Sequence, residues 1–169
     1  MFGHARVRVV VLLLVCVNLG GGGTPLQARA GTVSADQLTA TLDGKPLELK
    51  QVANYYCDDF SYPEIHCFTH PATLESRVAP IISAAAIDYV TVYDFSLFAG
   101  PYMYMSQDYT VLAVIGWNDR ISSFVARNSE TGHFYTDWFY SGTGYYFCCN
   151  QQVGSLGSYS DTFSSVHRL

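Results

Sequence analysis

Two stretches near the end of the chain match position by position: WNDRISSF, residues 117–124, and YSDTFSSV, residues 159–166. Each runs through an aromatic, a short polar residue, an aspartate, a variable residue, a hydrophobe and a serine pair. Asp119 and Asp161, Ser122 and Ser164, and Ser123 and Ser165 all stand 42 residues apart. Tyr93 and Tyr135, Phe98 and Tyr140, Gly100 and Gly142, and Tyr104 and Tyr146 keep the same spacing without a gap. Self-similarity at a fixed period marks a repeated structural unit. Residues 88–127 and 130–169 are therefore read as two copies of one motif, joined by a turn around Ser129 to Gly132.

Within each copy, VTVYDF and TGHFYTDW alternate, and MYM and YYF are short aromatic runs between turn residues. That pattern predicts short strands packed as an antiparallel sandwich. Gly100 and Gly142 sit where a strand must fold back sharply, and a residue without Cβ accepts the positive φ such a fold requires. Phe98 and Tyr140 are expected to lie across that fold. Nineteen of the twenty-five Phe, Trp and Tyr fall within residues 88–169. A small sandwich needs such side chains to fill its core, so they read as core before they read as a sugar-stacking platform.

The tyrosine-to-glycine spacing, Tyr93 to Gly100 and again Tyr135 to Gly142, together with NDRISS at 118–123 and SDTFSS at 160–165, resembles the βγ-crystallin family. The resemblance covers residues 88–169. It implies a mostly β protein, an antiparallel Greek-key β-sandwich of βγ-crystallin type, with two Ca2+ sites shared between the motifs. It further implies ligands: the carbonyls of Arg120 and Thr162, the hydroxyls of Ser122 and Ser164, and side chains from Asn118, Asp119, Ser160 and Asp161. A hairpin carbonyl would complete each site, at Ser96 and at Trp138. Ser160 departs from the family's preference for Asn or Asp, which implies that the site drawing on it is the weaker.

The residues themselves suit that chemistry. Calcium takes six to eight oxygens from carboxylates, amides, hydroxyls, carbonyls and water. Each hexapeptide offers a short acid, a hydroxyl and a turn whose carbonyls can point inward. With so few formal charges per site, affinity is expected in the range of about 10⁻⁴ to 10⁻³ M typical of extracellular modules. The alternative is a turn in which Asp and Ser merely bond their own backbone.

The first thirty residues read as a signal peptide: a basic start at His4, Arg6 and Arg8, an apolar run from Val9 to Leu19, and Ala28-Arg29-Ala30 before Gly31. The run is too short to span a bilayer. Val15 before Cys16 argues against a lipoprotein site. Secretion and an extracellular location follow as expectations, with no membrane association after processing. Removing Arg6, Arg8 and Arg29 with no acid takes the formal charge from −5 to −8. A polyphosphate needs a basic face, so nucleic acid is an unexpected partner and cations are expected ones.

Residues 31–87 read as a small strand-and-helix appendage. Asp43-Gly44 signals a hairpin, and Pro46 confines its strand to an edge or an end. NYYCDDF and EIHCF are further short strands with Asp58 to Pro63 between them, and 71–86 is helical, opened by Pro71 and interrupted by Pro80. Cys57, Cys67, Cys148 and Cys149 predict disulfides in an exported chain, by local pairing with a vicinal bridge or by crossed pairing that staples the appendage down. A zinc site at His66, Cys67 and His70 lacks a second ligand pair.

No Gly-x-Ser-x-Gly, His-Glu-x-x-His or phosphate loop is present. A nucleophile at Cys67 beside His66, or at Cys149 near His133, conflicts with oxidation of the cysteines. The chain is read as non-enzymatic. A second class remains, an antagonist of a foreign protein, since secreted metalloprotease inhibitors and small antifungal toxins resemble the same fold. TDWFYSG, residues 136–142, is the candidate loop for such a partner.

Overall fold

The structure is a computed structural model that describes residues 37–85 and 87–169. The expected signal peptide, residues 1–30, lies outside the described residues. In chain order the elements are β1 (Thr39–Leu42), β2 (Lys45–Leu47), β3 (Tyr56–Ser61), β4 (Glu64–Phe68), α1 (Pro71–Ala85), β5 (Tyr89–Phe95) and β6 (Ala99–Met105). They continue with β7 (Ser123–Arg127), β8 (Thr131–Asp137), β9 (Ser141–Cys148), β10 (Gln152–Val153) and β11 (Ser165–Arg168).

Two sheets face each other. One has the order β10-β7-β5-β6-β3-β4-β1-β2, the other β11-β8-β9. The first copy supplies β5, β6 and β7, the second β8, β9 and β11, and each lends one piece to the other. β10 of the second copy pairs with β7, and Tyr109 of the first bridges to Val166 in β11. This exchange ties the copies into one sandwich. Alternation along the strands sends Val90, Val92, Met103 and Met105 inward to meet Phe124, Phe134, Phe147 and Phe163, all fully buried.

The backbone repeats with the sequence. Left-handed φ recurs at Leu97 and Phe139 (60° and 57°), Phe98 and Tyr140 (60° and 61°), and Gly100 and Gly142 (79° and 76°). Phe98 packs edge-on against Tyr93, with ring centroids 5.6 Å apart. The uninterrupted register does not hold everywhere, however. Leu97 N–H bonds Gly154 O and Phe139 N–H bonds Thr110 O; Leu156 N–H bonds Ser122 O and Leu112 N–H bonds Ser164 O. The matching loop positions, 110 with 154 and 112 with 156, are thus 44 apart. The second copy has two extra residues around the Cys148–Cys149 turn and two fewer before Tyr159. The differences cancel, so subtraction across the motif hides them.

The N-terminal segment extends the first sheet. Asp43 and Gly44 turn the β1–β2 hairpin with φ of 48° and 78°, and β2 is the last strand of its sheet. β3 pairs parallel with β6, from Tyr56 opposite Tyr102 to Asp58 opposite Tyr104, and β1 pairs parallel with β4. The sheet is therefore mixed, not antiparallel throughout. Helix α1 crosses its outer face, with Leu74 and Val78 on Tyr89, Tyr102 and Tyr104. Arg77 fixes it by bonding Asp58 at 2.9 Å. Pro80 does not interrupt the helix. It lies on the exposed side, where water can reach the carbonyl one turn back that a proline cannot bond.

Cys57 pairs with Cys67 across β3 and β4, and Cys148 with Cys149, so the bridges are local and no crossed staple forms. Side-chain bonds tie the N-terminal segment down instead. Asp58 and Asp59, expected in a connection, lie within β3 and are fully buried. Asp59 accepts from the Ser106 amide and hydroxyl, each at 2.7 Å, and from the Tyr109 hydroxyl at 3.0 Å. Burial outweighs these bonds and pushes its carboxyl up to about 6. Among the described residues no helix is long and apolar enough to cross a membrane.

Candidate functional site

The serine pairs divide their work. The second serine of each is fully buried and pins its hairpin: Ser123 donates to Phe95 O and Ser165 to Asp137 O, both at 2.6 Å. Each also accepts from the hairpin tip, from Phe98 N–H and Tyr140 N–H at 3.1 Å. The first serine is anchored by its amide, Ser122 to Tyr93 O at 3.0 Å and Ser164 to Tyr135 O at 2.8 Å, leaving its hydroxyl for other use. Asp119 N–H bonds Phe163 O at 2.9 Å and Asp161 N–H bonds Ile121 O at 3.1 Å. Those two bonds exchange under the 42-residue repeat, so the elements meet about a pseudo-twofold axis. Asp119 and Asp161 hold left-handed φ of 55° and 58°, which short polar side chains tolerate.

Around the axis lie the two places where the expected ligands of the copies cross. In the first, the Ser122 hydroxyl donates to Asp161 at 2.7 Å. Arg120, whose carbonyl is the expected ligand, sends its guanidinium to Asp94 at 2.8 and 2.7 Å and to Asn54 at 3.0 Å. In the second, Asn118, Asp119, Thr136, Asp137, Trp138, Phe139, Ser141 and Ser164 line one shallow groove. Asn118 donates to Asp119 at 2.6 Å and accepts from the Trp138 indole at 3.0 Å. Ser164 is 6% exposed, and its hydroxyl makes no hydrogen bond among the described residues.

The structure thus joins Ser122 with Asp161, and Ser164 with Asn118, Asp119 and Trp138. The Trp138 carbonyl accepts from Ser141 at 2.7 Å. The Thr162 hydroxyl donates to Tyr159 O at 2.8 Å, and the expected ligand of this residue is its carbonyl. Ser96 is exposed on the first hairpin tip, and Ser160 follows a short turn at Gly157–Tyr159. Neither side chain makes a hydrogen bond among the described residues. Sequence reasoning missed Thr136, Asp137 and Ser141, although TDWFYSG carries all three beside the expected Trp138. It also missed Asp94 and Asn54, which lie 26 and 66 residues from Arg120.

The groove fits calcium by its donors. Its lining residues carry the carboxylate, amide and hydroxyl oxygens that a hard cation takes, and the Ser164 hydroxyl is free of protein partners among the described residues. Among the described residues no three His, Cys, Asp or Glu side chains converge to hold an ion, so a cation here would lean on amide, hydroxyl and carbonyl oxygens as well as carboxylates. Cys67 is consumed in its disulfide, and His66 lies 3.3 Å from the Thr41 hydroxyl.

No protein-family model matches the chain, and no curated protein matches it. Solved structures do. Its structural relatives are βγ-crystallin domains. One from Ciona intestinalis is 23% identical with a TM-score of 0.44, covering 48% of this chain and 99% of that one. A betagamma-crystallin from an archaeon is 24% identical with a TM-score of 0.43, covering 48% and 98%. A domain from Flavobacterium johnsoniae is 24% identical with a TM-score of 0.42, covering 47% and 92%. The chain is mostly β, with one helix and a mixed sheet, and about half its length is what is similar to these βγ-crystallin domains.

Proposed function

We propose that this chain is an exported, non-enzymatic calcium-binding module of βγ-crystallin type, which holds calcium between its two motifs. The carrying observation is the groove that the Ser164 hydroxyl, without a protein hydrogen bond among the described residues, lines together with Asn118 and Asp119 of the other copy. The ion would be held by Asp119, Asn118, the Ser164 hydroxyl and turn carbonyls including those of Thr162 and Trp138, and the counterparts at the pseudo-symmetric place are Asp161, Ser122, Arg120 O, Ser96 O and Ser160. Calcium supplies fixed positive charge that clamps the motifs together, and binding only the folded form raises stability.

Calorimetric titration with calcium tests this. Heat of binding is expected at submillimolar to millimolar calcium, lost in Ser122→Arg with Ser164→Arg while the circular dichroism spectrum is kept. Absence of any binding heat at 10 mM calcium would leave the turns as ion-free caps.

One observation favours a second reading, antagonism of a foreign protein. Trp138 and Phe139 are 51% and 69% exposed at the tip of the second hairpin, as a loop entering a protease cleft would need. A thermolysin inhibition assay with Trp138→Ala and Phe139→Ala as controls decides it.

A further inference from the structure

The two elements repeat, but their surroundings do not. We propose that Arg120 closes the Ser122–Asp161 site, so that the chain takes up one calcium ion, at the Asp119–Ser164 groove, and that the N-terminal segment holds the closure through Asn54. The inference rests on the calcium reading above and adds which site works and what shuts the other.

Three differences carry it. First, the residues 42 positions after Arg120 and Asp94 are Thr162 and Thr136. Thr136 lines the open groove. The corresponding wall of the first site is instead an Arg120–Asp94 pair with two bonds, at 2.8 and 2.7 Å. Second, Asp161 accepts from the Ser122 hydroxyl at 2.7 Å, which ties the expected acid and hydroxyl of the first site to each other, whereas Asp119 accepts from Asn118 at 2.6 Å and the Ser164 hydroxyl stays free of protein partners among the described residues. Third, the charges differ. The positive charge of Arg120, partly offset by Asp94, opposes a doubly charged ion beside it by up to about tenfold in solvent-like dielectric. The groove has Asp119 and Asp137 and no cation among its lining residues.

The clamp is not a local accident of the motif. Asn54 ends the 3₁₀ turn Leu49–Asn54 of the N-terminal segment and receives the third guanidinium bond at 3.0 Å. That segment therefore does more than lengthen a sheet: it orients the arginine that fills one of two symmetry-related places.

Titration calorimetry with calcium chloride on the intact protein tests the proposal. Wild type is expected to bind one ion, and Asp119→Asn to remove that event. Arg120→Thr, which installs the residue of the second copy, is expected to bind two, the new site tightening by up to about tenfold. Arg120→Thr with Asp94→Thr rebuilds the open arrangement more completely and is expected to bind two as well, should the single variant fail to fold. Two equivalent sites in wild type would overturn the proposal and leave the calcium reading standing, as would a single site in both arginine variants. No binding by any of the proteins would overturn both.

Discussion

Gly116→Ala probes whether the N-terminal segment is an integral layer of this protein. Gly116 has φ of 77°, and a Cβ there would be driven into the backbone carbonyl oxygen of Lys50, at the crossing of the N-terminal segment and the first motif. Gly44 has φ of 78°, yet nothing lies within 4 Å of its added Cβ. The left-handed conformation costs any L residue about 1–2 kcal/mol, and both substitutions incur it. Only Gly116→Ala adds overpacking against backbone, about 1–3 kcal/mol more. In a protein of this size about 1 kcal/mol moves the melting midpoint by roughly 3 °C. Gly44→Ala is expected to lower it by roughly 3–6 °C and Gly116→Ala by roughly 10 °C, read from thermal melts by circular dichroism. Equal losses for the two would show that residues 49–54 do not pack where the structure puts them.

Other perturbations address the buried polar groups. Asp59 has a folded pKa of about 6, above its ordinary 3.8, so its protonated form favours the fold. Its contribution is therefore greatest below about pH 4 and falls by about 3 kcal/mol as pH rises to 6, a slope that urea denaturation should find flattened in Asp59→Asn. Arg168 bonds Glu130, which is 2% exposed, at 2.6 Å through two nitrogens. Arg168→Ala should cost about 3–5 kcal/mol by stranding that carboxylate, while Arg168→Ala with Glu130→Gln should recover much of the loss. Ser123→Ala and Ser165→Ala each leave a hairpin carbonyl and amide without their shared partner. Each should cost about 1–3 kcal/mol in denaturant melts, and by similar amounts, since their bonds are the same.

The duplicated half was legible because a tandem repeat writes structural demands at fixed intervals. Gly100 and Gly142 answer to positive φ, Ser123 and Ser165 to a carbonyl that needs a donor, and Asp119 and Asp161 to a left-handed turn. The two-residue slip in the connecting loops stayed hidden because loops carry no such demand and their lengths compensate. The parallel pairing of β3 with β6 was illegible for another reason. YYCDDF fits any half-buried strand, and its partner is chosen by the path of α1 across the sheet. Asp58 and Asp59 looked like a solvated turn, since two adjacent acids are buried only when distant partners such as Arg77, Ser106 and Tyr109 come to them. At the site, the oxygen donors within each hexapeptide were visible, but Arg120 occupied a position that the motif leaves free. Its grip on Asp94 and Asn54 exists only in three dimensions.

The central claim is that matched turns of the two copies surround a divalent ion with oxygen. Its most direct test is a calcium titration followed amide by amide in a nitrogen-15 correlation spectrum. Shifts should gather at residues 117–123, 136–142 and 160–165, led by Asp119, Trp138 and Ser164, and magnesium at the same concentration should produce far smaller ones. A spectrum that stays still in these three stretches, or that moves instead around His66 and His70, would contradict it.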